Sequence, residues 1–386
     1  MHALIIGSGL VGVATALALH QIGIQCTLYD QVNLVEAAIA SGGNPVAVDF
    51  GDSGGSVALM ASALRVLRTL GVLDEVLASS FPAKITNWFK IDGSANVALD
   101  TINVNRRAGE TDPLLQPPIQ ILRSKLHSIL IQAAAKEESA LSLARSSSAS
   151  KRTRMGRQQT LKTARQPPAI LSSARWRPLR STRAIFGKDC KAEFTGVIGH
   201  IGVVRTRENG IHLKESCAFY LQREKKQMVC EEYRPVSDLP KESSRLADMI
   251  AQWGVPKHVE SPTYHKGKVM LIGDAAHGMV PNAGIGLLTG IEDVGVIREL
   301  FSRFQDPQDI SKVFTLYSQL RVPRGHDASK RSREMAKQYY SGSTNMGHFL
   351  LRVGIFLFNY NILTYYTIYD CPTEVASAIS KFNGIC

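Results

Sequence analysis

The sequence predicts an α/β fold: a parallel sheet entered through a glycine-rich turn, an interleaved and shortened antiparallel sheet, and a C-terminal helical region. Three observations carry that expectation. The apolar run HALII, residues 2–6, leads into Gly7-Ser8-Gly9-Leu10-Val11-Gly12 and an apolar helical stretch over 10–22. A second apolar run, KVMLIG at 268–273, feeds Asp274 and then a helical pattern over 287–304. Between them, TGVIGHIGVVRTR, GIHLK and CAFYLQ within 195–235 read as short antiparallel strands bounded by turn residues.

The remaining elements follow in order. The first helix ends near Gly23, and IQCTLYD makes a second strand that finishes on Asp30. Residues 57–70 and 123–135 read as amphipathic helices, because Leu64, Leu67 and Leu70 recur at helical spacing, as do Leu126, Ile129, Leu130 and Ala133. Gly71 supplies a stop for the first of these, and a last long helix is expected over 308–340. At 386 residues the chain exceeds what one hydrophobic core usually serves, so two closely packed domains are expected. Residues 1–80, 110–144 and 265–340 are assigned to the glycine-loop domain, 81–109 and 190–264 to the second sheet domain, and 341–386 to the C-terminal helical region.

The net charge of +12 would suggest a polyanionic partner if it were spread over the chain. It is not. Eleven Lys or Arg residues and no acid lie between Arg145 and Arg183, and removing that segment leaves a net +1. The segment is Ser-rich, contains Pro167-Pro168 and lacks either structural period, so it is expected to be disordered and outside the core, with no strand between 139 and 180. Trp176 is its only aromatic residue, which argues against a nucleic-acid surface. The six cysteines show no CxxC pair and no zinc-like spacing, so no metal site is expected. A disulfide framework is not expected either, and the chain reads as cytoplasmic. The apolar N-terminus lacks a basic leader and a cleavage site. In 349–369, Arg352, Asn359 and Asn361 divide the apolar run into pieces shorter than the roughly 20 residues a span needs. That stretch reads as a buried helix or a dimer face, with peripheral membrane contact as the alternative; the oligomeric state is open.

Two constellations carry chemistry. In the first, Gly7 permits the tight turn out of the strand, Gly9 lets backbone approach a pyrophosphate, and Gly12 lets helix and sheet pack closely. Phosphates then meet a helix N-terminus, where N–H groups and the dipole favour negative charge. Asp30 ends the second strand, where a carboxylate accepts hydrogen bonds from a ribose diol. In the second, Asp274 follows Gly273 at a strand end, placed for a sugar or ribityl hydroxyl. Gly284 and Gly286 bring a helix N-terminus toward a ligand that gains negative charge, as a reduced flavin does.

With those residues in view, the chain resembles the single-component flavin-dependent aromatic hydroxylases, of the salicylate hydroxylase and kynurenine 3-monooxygenase type, especially their fungal secondary-metabolism relatives. The resemblance rests on the glycine loop, on GGSVALMASALRVLRTLGVLDEV, on ILRSKLHSIL, on KVMLIGDAAHGMVPNAGIGLLTGIED and on Arg321-Val322-Pro323-Arg324. It implies a Rossmann-like FAD-binding domain whose cofactor contacts fall at Gly7, Gly9, Gly12, Asp30, Gly55, Arg123, Asp274, Gly284, Gly286 and Leu287. It implies non-covalent FAD, transient NADPH or NADH, O2, and an aromatic or polyketide-like small molecule that is hydroxylated. A dehydrogenase or oxidase on the same scaffold, or a degenerate non-catalytic product, are the alternatives. No catalytic side chain is assigned: His200, His258 and His265 read as surface or structural histidines, and His277 as a residue surrounding the flavin loop. Two departures stand out, the first being that the region 215–262, which in the family covers much of the substrate-facing sheet, is short. Second, the strand and Asp-Gly turn that the family places before an SxxR, here Ser181-Thr182-Arg183, has no counterpart in the sequence.

Overall fold

The computed structural model describes residues 1–30, 56–90, 97–136, 141–145, 169–172, 193–201, 216–222, 227–231, 251–257, 261–280, 283–340 and 348–384. The chain opens with β1 (His2–Ile6), α1 (Leu10–His20), β2 (Gln25–Asp30), β3 (Ser56–Leu59), α2 (Ala61–Thr69) and α3 (Leu73–Ala78). Then come β4 (Phe81–Pro82), β5 (Ile85–Lys90), β6 (Val97–Asp100), α4 (Thr101–Arg107), β7 (Ile119–Leu122) and α5 (Arg123–Lys136). Strands β8 (Leu141–Arg145), β9 (Ala169–Ser172), β10 (Glu193–Ile201), β11 (Ser216–Gln222), β12 (Gln227–Glu231) and β13 (Ala251–Lys257) follow. The last part holds β14 (His265–Lys266), β15 (Val269–Leu271), α6 (Asp274–His277), α7 (Gly286–Arg303), α8 (Ile310–Tyr340), α9 (His348–Ile368) and α10 (Cys371–Asn383).

The central sheet has the order β14-β15-β9-β1-β2-β8. Its pairings from β15 through β8 are all parallel, and β14 is an antiparallel edge. Chain order leaves β1 toward β2 on one side and toward β9 on the other, so the topological switch falls at β1, and crevices that bind ligands form at such points. Helix α1 connects β1 to β2 and is buried on nearly every side, which its apolar composition requires. It ends with Gly23 at φ +81°, where Gly23 N–H donates to the His20 carbonyl and Ile24 N–H to that of Leu19. The same pair of bonds closes α2 at Gly71, φ +75°. Both are Schellman ends, and the positive φ is what selects glycine.

Two expectations are overturned, one by this sheet and one by a separate three-stranded sheet of order β3-β7-β4. The basic segment is not wholly external: β9, the run AILS, lies inside the sheet, with Leu4 opposite Ile170 on one side and Met270 opposite Leu171 on the other. Arg145 ends β8 on the opposite edge strand. A strand flanked on both sides by parallel neighbours has no alternating pattern, and three apolar residues among eleven cations leave no periodic signal. The space between β1 and β15 is thereby filled, with backbone groups of β9 paired on both sides. The other ten cations of that segment lie outside the described residues. Second, residues 57–59, expected to open a helix, belong to the strand Ser56–Leu59, which pairs antiparallel with β7, Ser56 opposite Leu122 and Leu59 opposite Ile119. The helix begins only at Ala61.

A separate four-stranded sheet runs β12-β11-β5-β6. Strands β11 and β12 are antiparallel as expected, but β11 joins β5 in parallel. Strand β10 pairs with β13, and GIHLK lies outside the described residues. Helix α9 buries Ile355, Asn359, Ile362 and Tyr366 and exposes Val353, Phe356, Leu357 and Ile368. No helix among the described residues is long and apolar enough to cross a membrane.

Helix α1 crosses α7 at a point with no room for another atom. A Cβ on Gly290 would lie 2.6 Å from Val11 Cγ2, and one on Gly273 would lie 3.1 Å from the same methyl. Gly290→Ala is therefore expected to destabilise the protein by about 1–3 kcal/mol in urea denaturation, with Val11→Ala restoring part of the loss. Gly354→Ala, whose Cβ meets nothing within 4 Å, should be neutral or stabilising by up to about 1 kcal/mol.

Candidate functional site

Parallel register brings the two motifs to one edge of the sheet. Ile6 pairs with Tyr29 and with Ser172, and Ser172 pairs with Leu271. Gly7, Asp30 and the Gly273-Asp274 turn therefore follow the carboxyl ends of adjacent strands. Val11 ties them: its side chain fills the space left by Gly273 and Gly290, so helix α1 cannot shift without moving the second turn. Gly12 is buried in that helix.

Both helices that point at this edge start without a side-chain cap. Helix α1 begins after Gly9, which is half-exposed and whose missing Cβ would face open space. Helix α7 begins at Gly286 after Ile285, and neither helix has an acid in its first turn. Gly284, at φ +66°, is likewise open around its Cβ position, and Leu287 is half-buried beside Gly286. Uncapped N–H groups with no acid in the helix's own first turn favour an anionic ligand, and open glycines give it room. The residues present thus fit a dinucleotide, a flavin nucleotide included.

The loop is held from below. Gly7 N–H donates to the Tyr29 carbonyl at 2.8 Å. Asp30 Oδ2 accepts from the Ser8 N–H at 2.6 Å and from the Ser8 hydroxyl at 2.8 Å. His127 Nε2 lies 2.7 Å from the Ser8 carbonyl. Arg123, half-exposed at the first residue of α5, precedes His127 by four residues and so shares its helix face. Gly55 lies outside the described residues. Asp274 is half-buried at the first residue of α6.

Beneath the second turn lies a buried ionic cluster. Asp293 Oδ2 accepts from Gly273 N–H at 2.8 Å and from His277 Nε2 at 2.7 Å, while Oδ1 accepts from Arg321 Nε at 2.6 Å. Glu292 takes both Nε and Nη2 of Arg324 at 2.7 Å and also the Ser62 hydroxyl at 2.8 Å. Arg321 further donates to Glu292, to the Thr289 carbonyl and to the Tyr369 hydroxyl. Glu292, Asp293 and Arg321 are fully buried. Burial would raise the Asp293 pKa, but His277 and Arg321 beside it outweigh that effect and hold it at about 2.

Sequence reasoning found the turns and missed what holds them. Arg321 and Arg324 were noticed only as a resemblance, and in place they are ion-pair partners of α7. His277 is buried against Asp293, in line with its reading as a surrounding residue. His265 is half-exposed and bonds to the Ser318 hydroxyl, a structural arrangement. The side chain of His200 and all of His258 lie outside the described residues. His127 went unnoticed, although its place four residues after Arg123, between Leu126 and Leu130, put it on the inner face of the helix.

Residues 223–332, which include β15, α6 and α7, match a family model described as an FAD binding domain. A salicylate hydroxylase of Pseudomonas putida is 35% identical over 88 residues, 22% of this chain and 20% of that protein. The alignment thus spans about a fifth of that relative's length. Among solved structures, Klebsiella pneumoniae HpxO complexed with FAD and uric acid matches with a TM-score of 0.67 at 15% identity, over 95% of this chain and 97% of that one. A salicylate hydroxylase substrate complex matches with a TM-score of 0.66 at 18% identity, over 98% of each chain. The fold is the α/β one expected: a Rossmann-like sheet, an interleaved second sheet and a C-terminal helical region.

The cluster and the loop yield two expectations. Removing one partner of a buried ion pair strands the other, so Arg321→Met should cost about 3–5 kcal/mol, whereas Lys330→Met, exposed on the same helix, should stay within about 0.5. Burial also holds the His127 and His265 imidazoles below their ordinary 6.5 in the native state. As pH falls through about 6.5 the unfolded chain takes up protons that the native one refuses, so stability drops toward acid and levels off once the native imidazoles titrate. Asp293 acts in the same direction lower down, its contribution fading from about 3.8 toward about 2. Urea midpoints measured from pH 8 to pH 5 should therefore decline below 6.5, and a flat profile would contradict the burial of these histidines.

Proposed function

We propose that this chain belongs with the FAD-dependent hydroxylases of the salicylate hydroxylase type and is an FAD-dependent monooxygenase that hydroxylates an aromatic or polyketide-like small molecule with NADPH or NADH and O2. The observation that carries the reading is that two helices without side-chain caps at their N-termini, with Asp30 and Asp274, meet at one edge of the parallel sheet. In this reading the N–H groups of Gly9 and its successors hold the pyrophosphate, and Asp30 accepts the adenosine ribose hydroxyls. Arg123 meets the cofactor from α5, and Asp274 accepts the ribityl hydroxyls. Residues 284–287 present their backbone to the flavin ring, where the α7 dipole favours the negative charge of the reduced form. Bound FAD supplies the redox and oxygen chemistry. The protein's own part is to orient the ring, keep water out and hold the cofactor without a covalent bond. Strand β9 supplies backbone pairing between β1 and β15, which supports an intact cofactor domain over a degenerate relative, although no Asp-Gly turn follows it.

The purified chain should carry flavin that denaturation releases intact as FAD. With substrate it should consume NADPH or NADH and place one atom of labelled O2 in the product. Reduction of FAD with no oxygen in the product would mark a dehydrogenase or oxidase instead. Asp274→Ala should weaken FAD binding by about 1.5–3 kcal/mol, a factor of roughly 10 to 150, because a charged acceptor is lost. Asp74→Ala, exposed in the first turn of α3, should leave the Kd unchanged.

A further inference from the structure

All three polar groups of Ser8 are committed. Its N–H and hydroxyl donate to Asp30 Oδ2, and its carbonyl receives His127 Nε2. A carbonyl only accepts, so Nε2 must carry a proton whatever the charge on the ring. Ser8 is fully buried and His127 is 9% exposed, so neither bond has water as a ready substitute. The consequence lies in the next peptide unit. The Ser8 carbonyl and the Gly9 N–H belong to one planar trans peptide and point in opposite directions. Holding the carbonyl toward α5 therefore turns the Gly9 N–H away from α5, at a residue whose Cβ position opens onto empty space.

Resting on the FAD reading above, we propose that His127 is a positioning residue for the adenosine diphosphate half of the cofactor. It fixes the Ser8–Gly9 peptide so that the Gly9 N–H faces the pyrophosphate, and through Ser8 it fixes the carboxylate of Asp30 that takes the ribose. His127 touches no cofactor atom in this scheme. Its effect passes through Ser8 to both contacts, so losses at His127 and Asp30 overlap instead of adding.

The test uses the full chain freed of flavin, titrated with FAD and, in competition, with ADP. His127→Leu removes the donor and is expected to raise the Kd for both ligands by about tenfold or more, the cost of leaving a buried carbonyl unpaired and the peptide free to turn. His127→Gln, which keeps an N–H donor, should stay within about threefold of wild type, since the bond needs a donor and not an imidazole. Combined with Asp30→Asn, His127→Leu should cost less than the product of the two single effects. If His127→Leu does not fold by circular dichroism, His127→Asn, whose donor is drawn back by the shorter side chain, replaces it with the same expectation. Wild-type affinity in the folded Leu or Asn variant, or a strictly multiplicative double variant, would overturn the proposal. A wild-type chain that binds neither FAD nor ADP would overturn the FAD reading itself, a result distinct from the first two.

Discussion

The contact of Val11 with the bare backbones of Gly273 and Gly290 sets the geometry on which the site depends. It is a steric constraint. Two motifs about 260 residues apart in sequence are packed together because a branched side chain from the first occupies the volume that two glycines of the second leave empty. An added methyl on either glycine would push α1 from α7 and separate the loop after β1 from the turn after β15. The parallel register of β15, β9, β1 and β2 then places the strand ends level, so that the two turns face the same volume.

Charge holds the second turn where packing has put it. Asp293 ties the Gly273 N–H, His277 and Arg321 together, and Glu292 draws in Arg324 and Ser62. The cluster contains two carboxylates and two guanidiniums, with aromatic faces of Tyr365 and Tyr369 about 4 Å from Arg324. Such a group is costly to desolvate, and its value lies in geometry: each member has a fixed partner, so the turn, α8 and the start of α10 have one mutual arrangement. Pro323 lies between Arg321 and Arg324 inside α8 and lacks an N–H for its ladder, while both guanidiniums reach Glu292. The turn after β15 is therefore held by residues from the far end of the chain.

The loop after β1 is organised by smaller forces. Hydrogen bonds from Ser8 to Asp30 and from His127 to Ser8 turn a flexible glycine turn into a preorganised one, so less ordering remains to be done when a ligand arrives. A short acid at the end of β2 suits this arrangement, since one of its oxygens reaches back to Ser8.

The sequence by itself determined the α/β class, the two glycine turns, the strand ending at Asp30 and the limits of α1, α5 and α7. Each is encoded locally: periodicity shows in a dozen residues, and a positive φ selects glycine at Gly23 and Gly71 wherever they stand. Tertiary structure alone decided three things. Strand β9 exists because a gap between β1 and β15 needs backbone partners, and AILS fills it although nothing around it repeats. Residues 56–59 are a strand because β7 lies beside them, since SVAL suits either conformation. His127, Asp293 and Arg321 matter through partners that lie 119, 20 and 28 positions away, Ser8, Gly273 and Asp293. A hydrogen bond between distant residues leaves no period in the sequence. Only folding brings its two ends within 3 Å.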